Sequence, residues 1–228
     1  MMPPSSHLIF SDIHADPESL SAVINLARKT GPIEQKIFLG DSIGYGDDPR
    51  TVLDMLADFD VRIKGNHELL ALGQVDGQWY SRNAFETIMR HTEQIGPDGL
   101  RFLATYKENH TDGRMIFYHG APEDILTYLL DESDIDVILD HYPQYDLFFG
   151  GHIHIARVAV QNRETRQIVF EDIHPPFSAH RVDLNRNRYL INCPSTTPGR
   201  FGFNWPGCCR LTHHSPTEAT LEFLFVDE

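Results

Sequence analysis

Five short apolar runs, each followed directly by polar residues of metal-ligand type, constrain this chain more than any other feature. The runs cover residues 8–10, 37–39, 61–64, 115–118 and 147–149. Their shortness and mostly apolar character are typical of strands that are covered on both faces. Longer amphipathic stretches separate the runs, so the pattern predicts strands alternating with helices in a layered α/β fold.

Helix boundary signals accompany the amphipathic stretches. Asp16 and Pro17 predict the start of a first helix that ends before Gly31, and Asp48 with Pro49 starts the next helix in the same way. Helical spacing of apolar residues predicts further helices over about 81–95, 98–108 and 122–139. The amino-terminal two thirds is therefore expected to be α/β.

The character of the chain changes after Gly151. Segments 167–173, 188–192, 209–213 and 221–226 have strand character, with turn-rich segments between them. We expect these strands to form a second sheet packed on the first. Because no long linker divides the chain, residues 1–228 are expected to form a single domain.

The amino-acid composition limits which partners and which cell compartment are expected for this chain. The formal net charge of −14 disfavours binding to duplex nucleic acid through its phosphates. The sequence has no apolar run of about 18 residues, as a membrane span requires, and its start lacks a secretory pattern. The cysteines, Cys193, Cys208 and Cys209, make no disulfide framework, so we expect a cytoplasmic protein.

The polar groups that follow the five runs share one chemistry. They read Asp12-x-His14, Gly40-Asp41, Gly65-Asn66-His67-Glu68, His119-Gly120 and Gly151-His152-x-His154. Loops at the carboxyl ends of strands converge at one edge of an α/β sheet, so these groups are expected to meet. In extended chain, residues two apart face the same side, which would pair the residues of each x-spaced motif.

These residue types indicate a metal centre. Imidazole, carboxylate and amide ligands favour manganese, iron, zinc or cobalt over the all-oxygen sites of magnesium and calcium. The candidate ligands, Asp12, His14, Asp41, Asn66, His119, His152 and His154, are too many for one ion. Two metal ions joined by a bridging carboxylate account for them, and such a pair can activate a hydroxide that attacks phosphorus.

In order and spacing, the five blocks resemble the signature of calcineurin-like metallophosphoesterases. Segments 40–49, 118–124 and 191–200 are similar to blocks of a small prokaryotic phosphodiesterase branch, over nearly the whole chain. The resemblance implies a four-layer α/β/β/α sandwich of two mixed sheets flanked by helices. It also implies one metal at Asp12, His14 and His154, a second at Asn66, His119 and His152, and Asp41 bridging them.

The same resemblance implies a reaction and its catalytic residue. His67 would bind no metal but would lie over the phosphate and protonate the leaving oxygen. The expected cofactors are two divalent ions, with manganese first and iron, zinc, cobalt or nickel as alternatives. Expected substrates are small nucleotide-type phosphodiesters, followed by phosphomonoesters and phosphoproteins.

Two alternatives remain open, as does the role of several residues. The chain could be a non-catalytic metal-binding scaffold of the same fold, like the retromer subunit that resembles these enzymes, or a zinc hydrolase acting on C–N or C–O bonds. Association into homo-oligomers is not decided by the sequence. Glu68 is interpreted as a solvated carboxylate at a helix start. Tyr45 and Arg200 are candidate substrate contacts, and His174 and His180 are candidates for the site mouth.

Overall fold

Strands and helices alternate along the chain, as the apolar runs predict. The computed structural model describes residues 6–175, 179–198 and 205–226. The strands are β1 (Ser6–Phe10), β2 (Gln35–Phe38), β3 (Val61–Arg62), β4 (His110–Asp112), β5 (Met115–Phe117), β6 (Leu147–Gly150), β7 (Arg157–Asn162), β8 (Ile168–Asp172), β9 (Ala179–Asp183), β10 (Asn187–Asn192), β11 (Gly207–Ser215) and β12 (Glu218–Phe225). The helices are α1 (Pro17–Thr30), α2 (Pro49–Leu56), α3 (Asn66–Ala71), α4 (Arg82–Ala104) and α5 (Glu132–His141).

The strands form two mixed sheets of six strands each. One sheet has the order β3-β2-β1-β11-β12-β9, and the other has the order β4-β5-β6-β10-β7-β8. Strands β1, β2 and β3 are parallel to one another, and so are β5, β6 and β10. The carboxyl ends of the five predicted strands therefore lie at one edge of each sheet.

Side-chain alternation explains why the predicted strands are apolar on both faces. Ile9 belongs to the core between the sheets, whereas Leu8 and Phe10 pack with residues of the helices on the other face. In the second sheet, Phe149 faces the inter-sheet core and Phe148 packs with residues of α5. Three apolar cores thus separate four layers, and the α/β fold with two sheets between helices is confirmed.

The predicted caps of the first two helices are confirmed. The Asp16 carboxylate accepts a hydrogen bond from the amide of Ser19, and Pro17 is the first residue of α1. Asp48 accepts from the amide of Thr51 in the same way, with Pro49 as the first residue of α2. Within the described part of the chain, no helix combines the length and apolar character that a membrane span needs.

Two helix predictions differ from the structure. The stretches 81–95 and 98–108 are joined in α4, which is kinked at Gly96 (φ 63°) just before Pro97 and ends at Ala104. The predicted helix over 122–139 is wrong in its first half. There the Asp124 carboxylate accepts hydrogen bonds from the Leu126 amide and the Thr127 hydroxyl, which stabilises turns in place of helix.

The carboxyl-terminal strands do not form a sheet of their own. Strand β11 pairs antiparallel with β1, and β12 and β9 extend the first sheet from there. Strand β10 pairs parallel with β6, and β7 and β8 complete the second sheet. The expectation of a separate second sheet is therefore wrong, because each amino-terminal sheet still has an unpaired edge that these strands cover.

Candidate metal centre

The loops that follow β1, β2, β3, β5 and β6 bring all seven candidate ligands together. None is more than 8% exposed: Asp12, His14, Asp41, Asn66, His119, His152 and His154 are all buried. They come from both sheets. The site therefore lies where the carboxyl ends of the two sheets meet.

One group of ligand atoms consists of Asp12, His14 and His154, which lie within 4.8 Å of one another. The Nε2 atoms of His14 and His154 are 3.1 Å apart. His154 Nε2 is also 3.2 Å from Asp12 Oδ1. The predicted pairing of the two N-terminal residues with the last histidine is thus present as a spatial cluster.

A second group consists of Asp41, His119 and His152, again within 4.8 Å. His119 Nε2 lies 3.1 Å from His152 Nδ1 and 3.1 Å from the side-chain oxygen of Asn66. The same Nε2 is 3.5 Å from Asp41 Oδ2. His152 and His154, two positions apart, thus belong to different groups.

Asp41, a member of the second group, also links it to the first group. Its carboxylate is near His119 and His67, and a third cluster joins it to His14 and His67 within 4.8 Å. The backbone amide of His67 donates to Asp41 Oδ1 at 2.9 Å. Gly65 permits this approach, because a Cβ there would lie only 2.1 Å from Asp41 Oδ1.

The donor set fits divalent cations. Metal–nitrogen bonds of about 2.1 Å at a right angle place two nitrogens about 3.0 Å apart, close to the separations observed in both groups. The buried Oδ1 of Asp12 has no hydrogen-bond partner in the described ranges, although it lies at ion-pair distance from His154. The nitrogen and oxygen atoms of each group are therefore close enough to share one cation.

Backbone carbonyls orient the imidazoles. Because a carbonyl oxygen can only accept, the Nδ1 atom of His119 donates to the Leu39 carbonyl at 2.9 Å and leaves Nε2 for a ligand. His14 Nδ1 donates to the Ile43 carbonyl at 3.3 Å with the same result. Such hydrogen bonds behind the ligand fix the tautomer and ring direction of metal-binding histidines.

The pKa values of two histidines show that the buried carboxylates of the site favour positive charge nearby. Burial disfavours the charged form of His119, but the Asp41 carboxylate outweighs burial and raises the pKa of His119 to about 9. Burial lowers the pKa of His152 to about 3, and the neighbouring charge on His119 adds to that shift. Without a metal, protons on some histidines thus balance the buried carboxylates.

His67 lies beside the two groups, at the start of α3. It is 2% exposed, and its Nδ1 donates to the Ile43 carbonyl at 2.7 Å. Its ring packs at 4.8 Å from the ring of His14 and lines the cavity above the centre. The expectation that His67 binds no metal stays a prediction, since its ring also belongs to the cluster with His14 and Asp41.

Glu68 is not the solvated carboxylate that we expected. It is fully buried and accepts hydrogen bonds from the backbone amides of Gly65, Asp41 and Ser42 and from the Ser42 hydroxyl. Burial, together with the Asp41 carboxylate, raises its pKa. Through these hydrogen bonds, Glu68 holds the loop after β2 against the start of α3.

The extended geometry expected for the x-spaced motifs is also wrong. Asp12, His14, His152 and His154 all have φ between 50° and 69°, in the left-handed region. The amides of Ile13 and His14 both donate to the carbonyl of Asp41, which holds this turn in place. Strained backbone of this kind persists where the surrounding structure determines it, and it clusters at functional sites.

An open cavity of about 400 Å³ lies above the centre. Its lining residues include Asp41, Asn66, His67, His152, His154, Tyr45, Trp79, Tyr80, Leu126 and Tyr128. At its mouth, Trp79 is 76% exposed and Tyr128 is 47% exposed. The Tyr128 ring packs on His152 at 3.9 Å. The cavity therefore combines ligand atoms at its floor with aromatic surfaces at its rim.

Of the other residues singled out from the sequence, only Tyr45 is among the described residues that line this cavity. Tyr45 lines it and packs at 4.8 Å from His14. His174 packs on Trp205 at 5.4 Å, whereas His180 lies on β9 against Tyr189. Arg200 lies outside the described residues.

Two sheets between helix layers, with clustered histidines and carboxylates at the ends of the parallel strands, are the architecture of a metallophosphoesterase. The family model of the calcineurin-like phosphoesterases matches residues 7–156. The chain belongs to that family, which binds divalent metals and hydrolyses phosphoesters.

Similar proteins extend the likeness over most of the chain. The uncharacterized protein MJ0912 of Methanocaldococcus jannaschii is 29% identical over 209 residues, which cover 88% of this chain and 80% of that protein. A metallophosphoesterase from Sphaerobacter thermophilus superimposes with a TM-score of 0.78 at 21% identity, covering 99% of this chain and 89% of the other. The hypothetical protein PH1004 from Pyrococcus horikoshii OT3 superimposes with a TM-score of 0.68 at 15% identity, covering 98% and 89%. At these identities, the two structures support the fold.

Proposed function

We propose that this protein is a dinuclear metal-dependent hydrolase of phosphodiesters or phosphomonoesters. The observation that carries the proposal is the pair of ligand clusters, of which one contains Asp41 and the other is linked to Asp41 through His14. Asp12, His14 and His154 would hold one ion. A second ion would lie at the other cluster, held by Asn66, His119 and His152, with Asp41 shared by both.

The bound ions would lower the pKa of a water molecule and stabilise negative charge on phosphoryl oxygens. The chain's own residues prepare the site for them. The carbonyls of Leu39 and Ile43 keep the Nε2 atoms of His119 and His14 directed at the centre. Asp12 is held in turn by the amide of His152, which donates to its Oδ2 at 3.2 Å.

His67 would assist the leaving group. Because its Nδ1 proton is donated to Ile43, proton transfer to substrate falls to Nε2, which lies 3.7 Å from Asp41 Oδ2. In its protonated form, Nε2–H can donate to a phosphoryl oxygen or to the departing ester oxygen. General acid catalysis of this type contributes about 10²–10⁴-fold.

The shape and lining of the cavity favour substrates with a planar group, such as nucleotide-type phosphodiesters, over phosphoproteins. The exposed Trp79 and half-exposed Tyr128 offer faces on which a base can stack. The negative charge of the chain, −14, argues against duplex nucleic acid as substrate but not against a small anion beside two cations. Three buried free cysteines fit a reducing cytoplasm as the site of action.

The direct test is metal-dependent turnover. Metal-free protein is supplied with Mn²⁺, Fe²⁺, Zn²⁺, Co²⁺ or Ni²⁺, and hydrolysis of bis-p-nitrophenyl phosphate and p-nitrophenyl phosphate is followed. We expect turnover with Mn²⁺ first. His67→Ala should reduce kcat about 10²–10⁴-fold with metal content unchanged, whereas the exposed His141→Ala should behave as wild type.

Two results would overturn the proposal. Metal binding without turnover on either ester would favour the non-catalytic scaffold of the same fold. Turnover on an amide or lactone panel with none on phosphate esters would favour a zinc hydrolase of C–N or C–O bonds.

A further inference from the structure

A buried histidine outside the ligand set contacts the loop that supports the centre. His91 lies on α4 and is fully buried. The backbone amide of Gly44 donates to its Nδ1 at 3.0 Å, across 47 positions of sequence. None of the roles described above uses this residue.

The other side of the same peptide unit faces the centre. The peptide between Ile43 and Gly44 carries the carbonyl that accepts from His67 Nδ1 at 2.7 Å and from His14 Nδ1 at 3.3 Å. In a trans peptide the N–H and the C=O point in opposite directions. The hydrogen bond from the Gly44 amide to His91 therefore directs the Ile43 carbonyl toward His14 and His67.

This carbonyl decides which nitrogen of each ring is available. Since the oxygen can only accept, it keeps the proton of both rings on Nδ1 and leaves Nε2 for the site. Rotation of the peptide would remove that constraint. Gly44 has φ +91°, and its missing side chain allows close approach, since a Cβ would lie 2.2 Å from His67 Nδ1. Because glycine restricts its backbone little, a contact from outside this loop is needed to hold the Ile43–Gly44 peptide in one orientation.

His91 has the chemistry of such an anchor. Burial, together with the neighbouring charge of Arg90, lowers the pKa of His91 to about 4. Its Nδ1 therefore carries a lone pair at neutral pH and can accept the Gly44 amide.

We infer that His91 is a positioning residue that sets the ring orientation and tautomer of His67 and His14 through the Ile43–Gly44 peptide. The inference deepens the proposed function and rests on it for its kinetic consequence. Its structural consequence concerns the metal-free protein and can be tested without turnover.

Three substitutions separate positioning from simple packing. In His91→Asn, the side-chain oxygen takes the place of Nδ1 and can still accept from Gly44. In His91→Gln, the oxygen takes the place of Nε2, and His91→Leu has no acceptor. We expect His91→Asn to retain most of kcat, and the other two to lose about 10–100-fold in kcat with little change in KM, the range typical of lost hydrogen bonds behind ligands.

The readout without turnover is the tautomer. Long-range ¹H–¹⁵N spectra of the metal-free protein should place the His67 and His14 protons on Nδ1 in wild type and His91→Asn. Mixed tautomers and a shifted Gly44 amide signal are expected in His91→Gln and His91→Leu. Thermal unfolding of all three variants shows that the comparison is made on folded protein.

Two outcomes would overturn the inference. In the first, His91→Gln and His91→Leu keep the Nδ1 tautomer on both rings. In the second, His91→Asn and His91→Gln lose the same fraction of kcat, because volume rather than acceptor position would then matter. An inactive wild type would refute the proposed function, while the tautomer spectra would still decide whether His91 positions the two rings.

Discussion

His14 and His154 present their Nε2 atoms to each other across 3.1 Å, although 140 positions separate them in the sequence. His14 follows a strand of the first sheet, and His154 follows a strand of the second. The centre therefore exists only when the two sheets are packed together. The inter-sheet core, which includes Ile9 and Phe149, is what holds the two halves of the site in register.

His152 and His154 are expected to serve different ions. Because they belong to separate clusters, His154→Ala and His152→Ala should each lower the bound metal from about two ions to about one. Metal content after dialysis, measured by mass spectrometry, checks this, with His141→Ala as the exposed control. Full metal content in either variant would contradict the assignment.

Much of the frame can be predicted from local signals. The Asp16 and Asp48 caps act within three residues, and the apolar runs identify strands that are buried on both faces. The convergence of five loops follows from the general rule for parallel strands. These features are predictable because each depends on residues that are close in sequence or on a rule of chain topology.

Other features depend on contacts that local patterns do not contain. The helical spacing after Pro122 is overridden by the Asp124 carboxylate, which stabilises turns. Glu68 is buried because its acceptor oxygens meet amides from a neighbouring loop. The hydrogen bond between the Gly44 amide and His91 joins the loop after β2 to α4. These two segments are far apart in sequence, and only the tertiary structure brings them together.

Gly44→Ala should impair catalysis. Both Gly44 and Gly113 have positive φ, +91° and +56°, so alanine is strained at either position. Only at Gly44 would the new Cβ clash with His67 Nδ1, whereas nothing lies within 4 Å at Gly113. We expect a loss of at least tenfold in kcat for Gly44→Ala and none for Gly113→Ala, by steady-state kinetics. Equal kcat values for both variants would argue against the clash.

Glu68→Ala should destabilise the protein severely. Four buried donors would lose their acceptor, and hydrogen bonds to a charged group contribute about 1.5–3 kcal/mol each. We expect the free energy of unfolding, measured in urea on metal-free protein, to fall by about 3 kcal/mol or more. The exposed Glu93→Ala on α4 is the control and should change it by less than about 0.5 kcal/mol. A similar small change for Glu68→Ala would mean that the donors find water instead.

Trp79→Ala should weaken the binding of substrates that carry a nucleotide base. Its side chain is 76% exposed, so its removal leaves the core intact, but stacking of a base on an aromatic ring contributes about 1–3 kcal/mol. We expect KM for a nucleotide phosphodiester to rise about fivefold or more, with kcat little changed. A glycerophosphodiester, which has no ring to stack, serves as the control substrate. An equal rise in KM for both substrates would refute stacking at Trp79.

Acid should destabilise the wild type more than His91→Asn. The folded pKa of His91, about 4, lies below the usual value of 6.5, so between these values the unfolded chain binds more protons and wild-type stability rises with pH. Asparagine does not titrate and still accepts from Gly44. Between pH 7 and pH 4, wild type should lose about 1–3 kcal/mol relative to the variant, the lower figure allowing for solvent screening.

Urea unfolding of both metal-free proteins across this range measures the difference. The neighbours that act on His91 electrostatically, Arg90, Asp47 and His67, are common to both proteins, so the difference between the proteins reports on His91 itself. A stability difference that does not change with pH would mean that His91 titrates alike in the folded and unfolded chains. In that case a protonated ring, which cannot accept from the Gly44 amide, would be present well above pH 4.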